Sequence, residues 1–302
     1  MTGILGGVDE RAAGFVAEPA ARKRGSRRGR LRIAVSLSII GVYLVAAIFG
    51  PILAHYDPVA TDTANRLLPP FALRDDGSLA IFGTDQVGQD LFAQTLQGAR
   101  MSMLVGVSAL VIAGVIGVTV GVLSGYFGGA LDATLMRIAD VQLAFPGILL
   151  AVLVASVLGQ SVVNVIIILA IGGWVSYARV TRSQVLATKN REFVDATRTL
   201  GAGSLHTVRT AILPACVAPI MVIATMDIGS LILAEASLSF LGLGTPPSTP
   251  SWGLTIAGGR NYLASAWWIS TIPGICLAVL VIAFGVLGDA LRDRYDPRLR
   301  EV

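Results

Sequence analysis

The sequence predicts an all-α integral membrane protein with six transmembrane helices. Of its 302 residues, 54% are hydrophobic and 14% are charged, whereas a soluble domain carries about 25% charged residues. Four long stretches contain no charged residue, at positions 33–54, 101–131, 141–178 and 261–288. Apolar runs of this length are typical of membrane spans. The composition excludes an ordinary soluble enzyme, a nucleic-acid-binding domain and a disordered chain.

The six spans follow from these stretches in chain order. Their predicted bounds are about 31–53, 101–124, 138–158, 162–177, 214–238 and 266–287. The first follows a basic cluster, as a signal peptide does, but its roughly 22 apolar residues exceed the core of about 7–15 residues of a signal peptide. We therefore expect a retained membrane anchor.

Lysine and arginine are distributed unequally between the two sides of the predicted topology. With the N-terminus in the cytoplasm, 19 of the 23 basic residues fall in the inner segments and 4 in the outer ones. Cytoplasmic loops are enriched in Lys and Arg. This asymmetry predicts that both termini are cytoplasmic and that the protein resides in a bacterial-type cytoplasmic membrane.

Two of the spans carry small or helix-breaking residues. Gly117, Gly121 and Gly125 recur at every fourth position in span two, which predicts close helix packing; the alternative is a face that slides against a partner subunit. Span three contains Pro146-Gly147, which predicts either a kinked span or a short interfacial helix that leads into one.

Three carboxylates in or near the spans are candidates for a translocation path or a subunit interface: Asp140, Asp227 and Glu235. An ionised carboxylate at the bilayer centre costs about 2.5–3.5 kcal/mol on insertion scales. Asp227 is therefore expected to face a bundle interior or an aqueous path, unless neighbouring helices simply satisfy it. Apart from Arg32 at the start of span one, no Lys or Arg lies within these bounds, so a charged partner would come from another subunit or from the substrate.

Motifs for enzymatic chemistry are missing from the sequence. It has no Gly-rich phosphate loop ending in Gly-Lys-Ser/Thr. Its two histidines, His55 and His206, are predicted on opposite sides of the membrane, and Cys216 and Cys276 form no metal or disulfide framework. We expect no catalytic residue, no metal site and no cofactor bound by this chain, so uphill transport would draw on an ion gradient or on a separate ATPase.

The inner loop 178–213 is the most charged connection, with six basic residues. Apolar residues at helical spacing predict a helix up to Gly201, and Ser204 is a candidate cap for a second helix that runs to Pro214. Two short cytoplasmic helices would form either a docking element for another protein or an interfacial amphipathic loop.

This loop resembles the Glu-Ala-Ala loop of binding-protein-dependent ABC importer permeases. Asp195-Ala196-Thr197 stands in the Glu-Ala-Ala position, Gly201 follows at the family spacing, and Leu213-Pro214 closes the loop. The resemblance implies that the loop couples the spans to an ATP-binding subunit. The implied coupling residues are Glu192, Asp195, Ala196, Thr197, Gly201, Leu213 and Pro214.

Three further segments are similar to the dipeptide and oligopeptide "C"-type permeases. They are Gly-Thr-Asp-Gln-Val-Gly-Gln-Asp at 83–90, Leu-Ser-Phe-Leu-Gly-Leu-Gly at 238–244, and the C-terminal stretch 288–299. Gln89 and Gly285 stand where many members have arginine and asparagine.

The resemblance implies the transmembrane domain of a type I ABC importer and a division of the chain. Residues 1–30 would be a cytoplasmic tail, 31–97 the first span with an extracytoplasmic segment, 98–289 the type-1 transmembrane domain, and 290–302 a second tail. The implied partners are a homologous permease, two ATPase subunits that hold ATP and Mg²⁺, an extracytoplasmic binding protein, membrane lipid and a peptide. The same architecture serves nickel, glutathione or another small solute, and an ATPase-independent secondary carrier is the competing class.

Overall fold

The computed structural model describes residues 22–53 and 57–295, and they are mostly helical. The predicted N-terminal tail up to residue 21, His55 and the C-terminal residues 296–302 lie outside the described residues. The elements are α1 (Arg22–Leu53), β1 (Ala72–Leu73), β2 (Leu79–Ala80), α2 (Leu91–Phe127), α3 (Gly129–Leu143), α4 (Gly147–Leu158), α5 (Val162–Thr188), α6 (Glu192–Thr199), α7 (Ser204–Thr207), α8 (Leu213–Phe240), α9 (Trp252–Gly259) and α10 (Trp268–Tyr295).

Five helices in the described part of the chain are long and apolar enough to cross a membrane: α1, α2, α5, the α7–α8 helix and α10. The predicted third span is a bent pair instead. Helices α3 and α4 meet at an angle of 87° next to Pro146, because proline removes a backbone donor and clashes with the preceding turn. Counted as one pass, this pair brings the total to six, which confirms the predicted fold class.

Several helices are longer than the hydropathy of the sequence predicts. Helix α2 begins at Leu91, ten residues before the predicted start, because the Asp90 carboxylate accepts a hydrogen bond from the Ala93 N–H at 2.6 Å and caps the helix. Helix α5 continues to Thr188. Arg179 and Arg182 therefore lie on the same helix as the predicted fourth span, beyond the predicted end of that span.

The glycine face of α2 lies against α5 of the same chain. A Cβ atom added at Gly117 or Gly121 would lie 2.3 Å from the Trp174 carbonyl oxygen or 2.5 Å from that of Ala178, respectively. The two backbones therefore approach closely only because these positions have no side chain. Helix α5 of the same chain therefore covers the glycine face of α2. This replaces the alternative, in which the face slides against a partner subunit.

The outer segment between α1 and α2 is folded rather than extended. Strands β1 and β2 form an antiparallel hairpin, which a buried Arg74–Asp90 ion pair joins to the start of α2. The Asp85 carboxylate accepts the N–H groups of Val87 and Gln89 at 2.9 and 2.8 Å. Gly88 has a φ of +82° and lies against the Asp62 backbone. The motif at 83–90 therefore forms the turn that precedes α2.

Candidate functional site

The inner loop projects as helix α6 and returns through α7. Gly201, with a φ of +85°, reverses the chain after α6, a conformation that glycine adopts without a steric cost. Val194 is fully buried. Val208 and Ile212 pack with Val185 of α5 and Cys216 of α8. The base of the projection is thus fixed on the spanning helices.

The second loop helix is not a separate element. Ser204 is the first residue of α7, and Gly203 rather than Ser204 occupies the capping position. A π-helical turn, Val208–Ile212, then joins α7 to α8 without a break, so that residues Ser204–Phe240 form one 37-residue helix. Leu213 and Pro214 follow this turn directly, so that Pro214 lies inside the continuous helix, where it can donate no backbone hydrogen bond. A displacement of the loop would therefore be transmitted along α8.

The surface of the projection combines apolar and acidic side chains. Phe193, Leu200 and Leu205 are 49%, 89% and 63% exposed. The carboxylate-bearing Glu192 and Asp195 lie on the same short helix and are also exposed. Large apolar side chains rimmed by charge are typical of a protein-binding surface.

A polar clamp joins α3 to the inner half of α5. The Arg182 guanidinium donates two hydrogen bonds of 2.6 Å to the Asp132 carboxylate, and Arg179 pairs with Asp140 at 2.6 Å. One turn further along, the Trp174 indole N–H donates to the Gln142 side-chain oxygen at 2.7 Å. Asp140 thus finds its cation within the chain.

The Asp132–Arg182 pair escaped the sequence reasoning. Each residue lies outside the predicted bounds of its span, and nothing in the sequence indicates that α3 folds back beside α5.

A cavity of about 460 Å³ lies between α4, α5 and α8. Asp227, at the middle of α8, is the one charged residue in its lining, and the other polar side chains there are Ser176, Ser230 and Ser237. The remaining lining residues are aliphatic or glycine. The volume falls in the range of about 300–1,000 Å³ that small-molecule sites occupy.

Asp227 has a neutral neighbour in α5. The buried Tyr177 hydroxyl faces the Asp227 carboxylate, although this hydroxyl has no partner in good hydrogen-bonding geometry within the described residues. No ion pair of Asp227 occurs in the described ranges 22–53 and 57–295.

Glu235 occupies a different environment from Asp227. It is fully buried, and its carboxylate accepts hydrogen bonds from the hydroxyls of Ser102 at 2.9 Å and Ser239 at 2.8 Å. It does not line the cavity. Of the three predicted carboxylates, only Asp227 faces that space, whereas Asp140 and Glu235 join helices.

No group of three or more His, Cys, Asp or Glu side chains that could hold a metal ion occurs in the part of the chain that the structure describes. The two cysteines are free, Cys216 in a core cluster and Cys276 beside another.

Spanning helices, a cavity that is open on one side and a projecting loop are features of membrane transport subunits. The chain belongs to the family of binding-protein-dependent transport system inner membrane components, whose sequence model matches residues 117–301. Residues 33–70 match a second model, the N-terminal transmembrane domain of oligopeptide transport permease C. The protein is accordingly a multi-pass inner-membrane permease.

Curated relatives are similar along most of the chain. A di/tripeptide transport system permease protein of Pseudomonas aeruginosa is 40% identical over 84% of this chain and 84% of its own. An oligopeptide transport system permease protein of Bacillus subtilis is 39% identical over 88% of this chain and 86% of its own. A probable D,D-dipeptide transport system permease protein of Escherichia coli is 40% identical over 87% and 86%.

Solved structures support the fold. An inward-facing methionine ABC transporter matches with a TM-score of 0.55 and 21% identity, over 67% of this chain and 97% of the other. An amino acid ABC transporter structure matches with a TM-score of 0.52 and 14% identity, over 67% and 94%. At these identities the likeness concerns the fold alone.

Proposed function

We propose that this chain is the permease subunit of an ATP-driven importer that moves dipeptides or oligopeptides across the cytoplasmic membrane. The observation that carries the proposal is the similarity, at about 40% identity over more than four fifths of the chain, to permeases named for peptide transport. Nickel, glutathione or another small solute would use the same architecture, and an uptake assay distinguishes among them.

The α6–α7 projection is the coupling element in this proposal. Its exposed apolar side chains and acidic rim suit insertion into a cleft on an ATPase subunit. Because α7 continues into α8, a movement of the docked loop would reach the helix that carries Asp227. ATP and Mg²⁺ would be held by the ATPase subunits, and this chain would perform no hydrolysis.

The cavity beside α4 is one wall of the translocation path in this proposal. Its lining is mostly apolar, which suits peptide side chains of differing shape, and it opens beside a face of α4 that no described residue covers. Leu149, Leu153 and Val157 of α4 are 64%, 63% and 79% exposed. A homologous second permease would close the path.

The outer hairpin supplies a surface for the extracytoplasmic binding protein. Leu73 pairs with Leu79 across the hairpin, and Phe71 and Ile81 extend the same face, because alternate residues of a strand point to the same side. All four are exposed, Phe71 at 70% and Leu73 at 69%. An acidic turn at Asp75-Asp76 borders this apolar face, and a small apolar patch with a charged rim suits a partner that docks and leaves.

The deciding experiment co-expresses this chain with candidate permease, ATPase and binding-protein subunits encoded by neighbouring genes, and it reconstitutes the purified complex. We expect ATP-dependent uptake of a labelled dipeptide and co-purification of the ATPase. The double substitution Asp195→Arg, Gly201→Val should abolish both, because it reverses a charge on the projection and forces a side chain into a left-handed turn. Asp57→Arg, a charge reversal in the outer segment, is the matched control.

Two results would contradict the proposal. Formation of a transport-competent complex without any ATPase would favour a secondary carrier. Unchanged ATP-dependent uptake by the double variant would show that the loop is not the coupling element.

A further inference from the structure

The cavity between α4, α5 and α8 contains one carboxyl group, and its lining includes no basic residue among those that the structure describes. Asp227 is its only ionisable lining residue, and Ser176, Ser230 and Ser237 are neutral. The hydroxyls can donate hydrogen bonds but cannot neutralise a carboxylate.

The basic residues of the neighbouring helix α5 are engaged elsewhere. Arg179 pairs with Asp140 and Arg182 with Asp132, on the side where α3 packs. Lys189 donates to the Gly125 carbonyl oxygen at 2.9 Å. The group that faces Asp227 from α5 is the Tyr177 hydroxyl, which carries no charge.

An uncompensated carboxylate in an apolar cavity favours one class of ligand. A single charge at bilayer depth is energetically costly, and a positively charged ligand group reduces that cost by direct pairing. An anionic group would meet repulsion in a medium that screens charge poorly. The surrounding aliphatic walls suit the apolar remainder of such a ligand.

We propose that Asp227 forms a subsite for a protonated amine, which receives the ammonium terminus of the solute as it passes the cavity. The inference rests on the proposed function, because it takes the cavity as part of the path. It adds a chemical requirement that neither the fold nor the coupling loop imposes: the permease itself favours a solute with a free amino group.

The test measures the charge preference of the cavity directly with thiol reagents. In a Cys216→Ala, Cys276→Ala background, Ser230→Cys places a thiol three residues from Asp227, on the same face of α8. The assembled transporter in nanodiscs is treated with a trimethylammonium and with a sulfonate methanethiosulfonate of similar size, and both modification rates are measured.

We expect the ratio of cationic to anionic rates to fall on the order of tenfold when Asp227→Asn is added, as a nearby unit charge in a poorly screened site implies. Ser237→Cys is the matched control, because residue 237 lines the same cavity but lies about 15 Å from Asp227 along the axis of α8, at 1.5 Å per residue. Its ratio should change much less. An unchanged ratio at Ser230→Cys, or a thiol there that neither reagent modifies, would overturn the subsite.

Peptide protection connects the subsite to the solute. Trialanine should slow modification of the Ser230→Cys thiol more than N-acetyl-trialanine does, and Asp227→Asn should remove that difference. Equal protection by both peptides would overturn the role of the amine. If the charge preference persists but neither peptide protects the thiol, a peptide is not the solute. That outcome would leave the proposed coupling to ATP hydrolysis unaffected.

Discussion

Glu235 illustrates how a buried carboxylate can serve structure alone. It is fully buried, and hydroxyls from α2 and α8 satisfy it. Buried polar groups with complete hydrogen bonding join elements, whereas each partner left unsatisfied costs about 1–3 kcal/mol. The sequence places Glu235 and Asp227 on one helix and offers no means of separating their roles, because the difference lies in which neighbouring helix faces each of them.

Replacement of Glu235 should therefore reduce stability. Glu235→Leu leaves the Ser102 and Ser239 hydroxyls without an acceptor, so we expect a loss of about 1–3 kcal/mol and a lower melting temperature in detergent. Glu235→Gln, which keeps an acceptor oxygen, should lose less. A melting temperature that Glu235→Leu leaves unchanged would contradict the structural role.

The glycine face of α2 permits a second test at the residue scale. Gly121→Val should disrupt folding, because its Cβ would lie 2.5 Å from the Ala178 carbonyl oxygen. Gly114→Ala is the control on the same helix, since nothing lies within 4 Å of a Cβ there, and alanine in a helix is about 0.5–1 kcal/mol more favourable than glycine. Yield and monodispersity in detergent measure both, and equal behaviour of the two variants would contradict the packing.

At the scale of elements, the α3–α5 clamp sets the direction in which the chain enters α4. Both of its ion pairs hold α3, just before the bend, against α5, and the bidentate Arg182–Asp132 geometry fixes orientation as well as distance. Asp132→Arg and Arg182→Asp should each reduce transport several-fold. The double exchange should recover much of the loss, because it restores an opposite-charge pair.

Uptake rates are measured for the wild type, for each single variant and for the double exchange. Comparison of these four rates separates the effect of the Asp132–Arg182 pairing from the other effects of each substitution. The same exchange at an unpaired site, such as Asp57→Arg with Arg260→Asp, serves as the comparison. If the double exchange behaves as the sum of the two single variants, the clamp does not position α4.

For the whole molecule, the number of spans and the close packing of the glycine face of α2 could be predicted, because hydropathy and glycine spacing are local features of the sequence. That α5 is the helix packed against this face could not be predicted. The bend at Pro146 could also be predicted, but its angle could not. The continuity of α7 with α8, the folded outer segment and the α3–α5 ion pairs depend on contacts between residues distant in sequence. For the candidate site, the sequence places Asp227 in a span, but the cavity beside it arises from three helices together.

The predicted cytoplasmic location of both termini awaits its own measurement. A green fluorescent protein fused after Val302 should fluoresce, and alkaline phosphatase inserted at Gly77, in the tip of the outer hairpin, should be active. The reason for this expectation is the excess of Lys and Arg in the loops that are predicted to be cytoplasmic. The opposite pattern of activities would invert the topology and place the projecting loop beyond the reach of any cytoplasmic ATPase.

The sharp bend between α3 and α4 also shapes the electrical profile of the membrane at this subunit. Helix α4 has 12 residues and rises about 18 Å at 1.5 Å per residue, whereas the hydrocarbon layer is about 30 Å thick. In the assembled transporter, water, thinned lipid or the partner permease would occupy the rest of that thickness beside α4, and the first two would shorten the insulating layer. The membrane voltage, about 2.3 kcal/mol per unit charge for each 100 mV, then falls over a shorter distance. A cation that passes Asp227 would experience a steeper field there than elsewhere along the bundle.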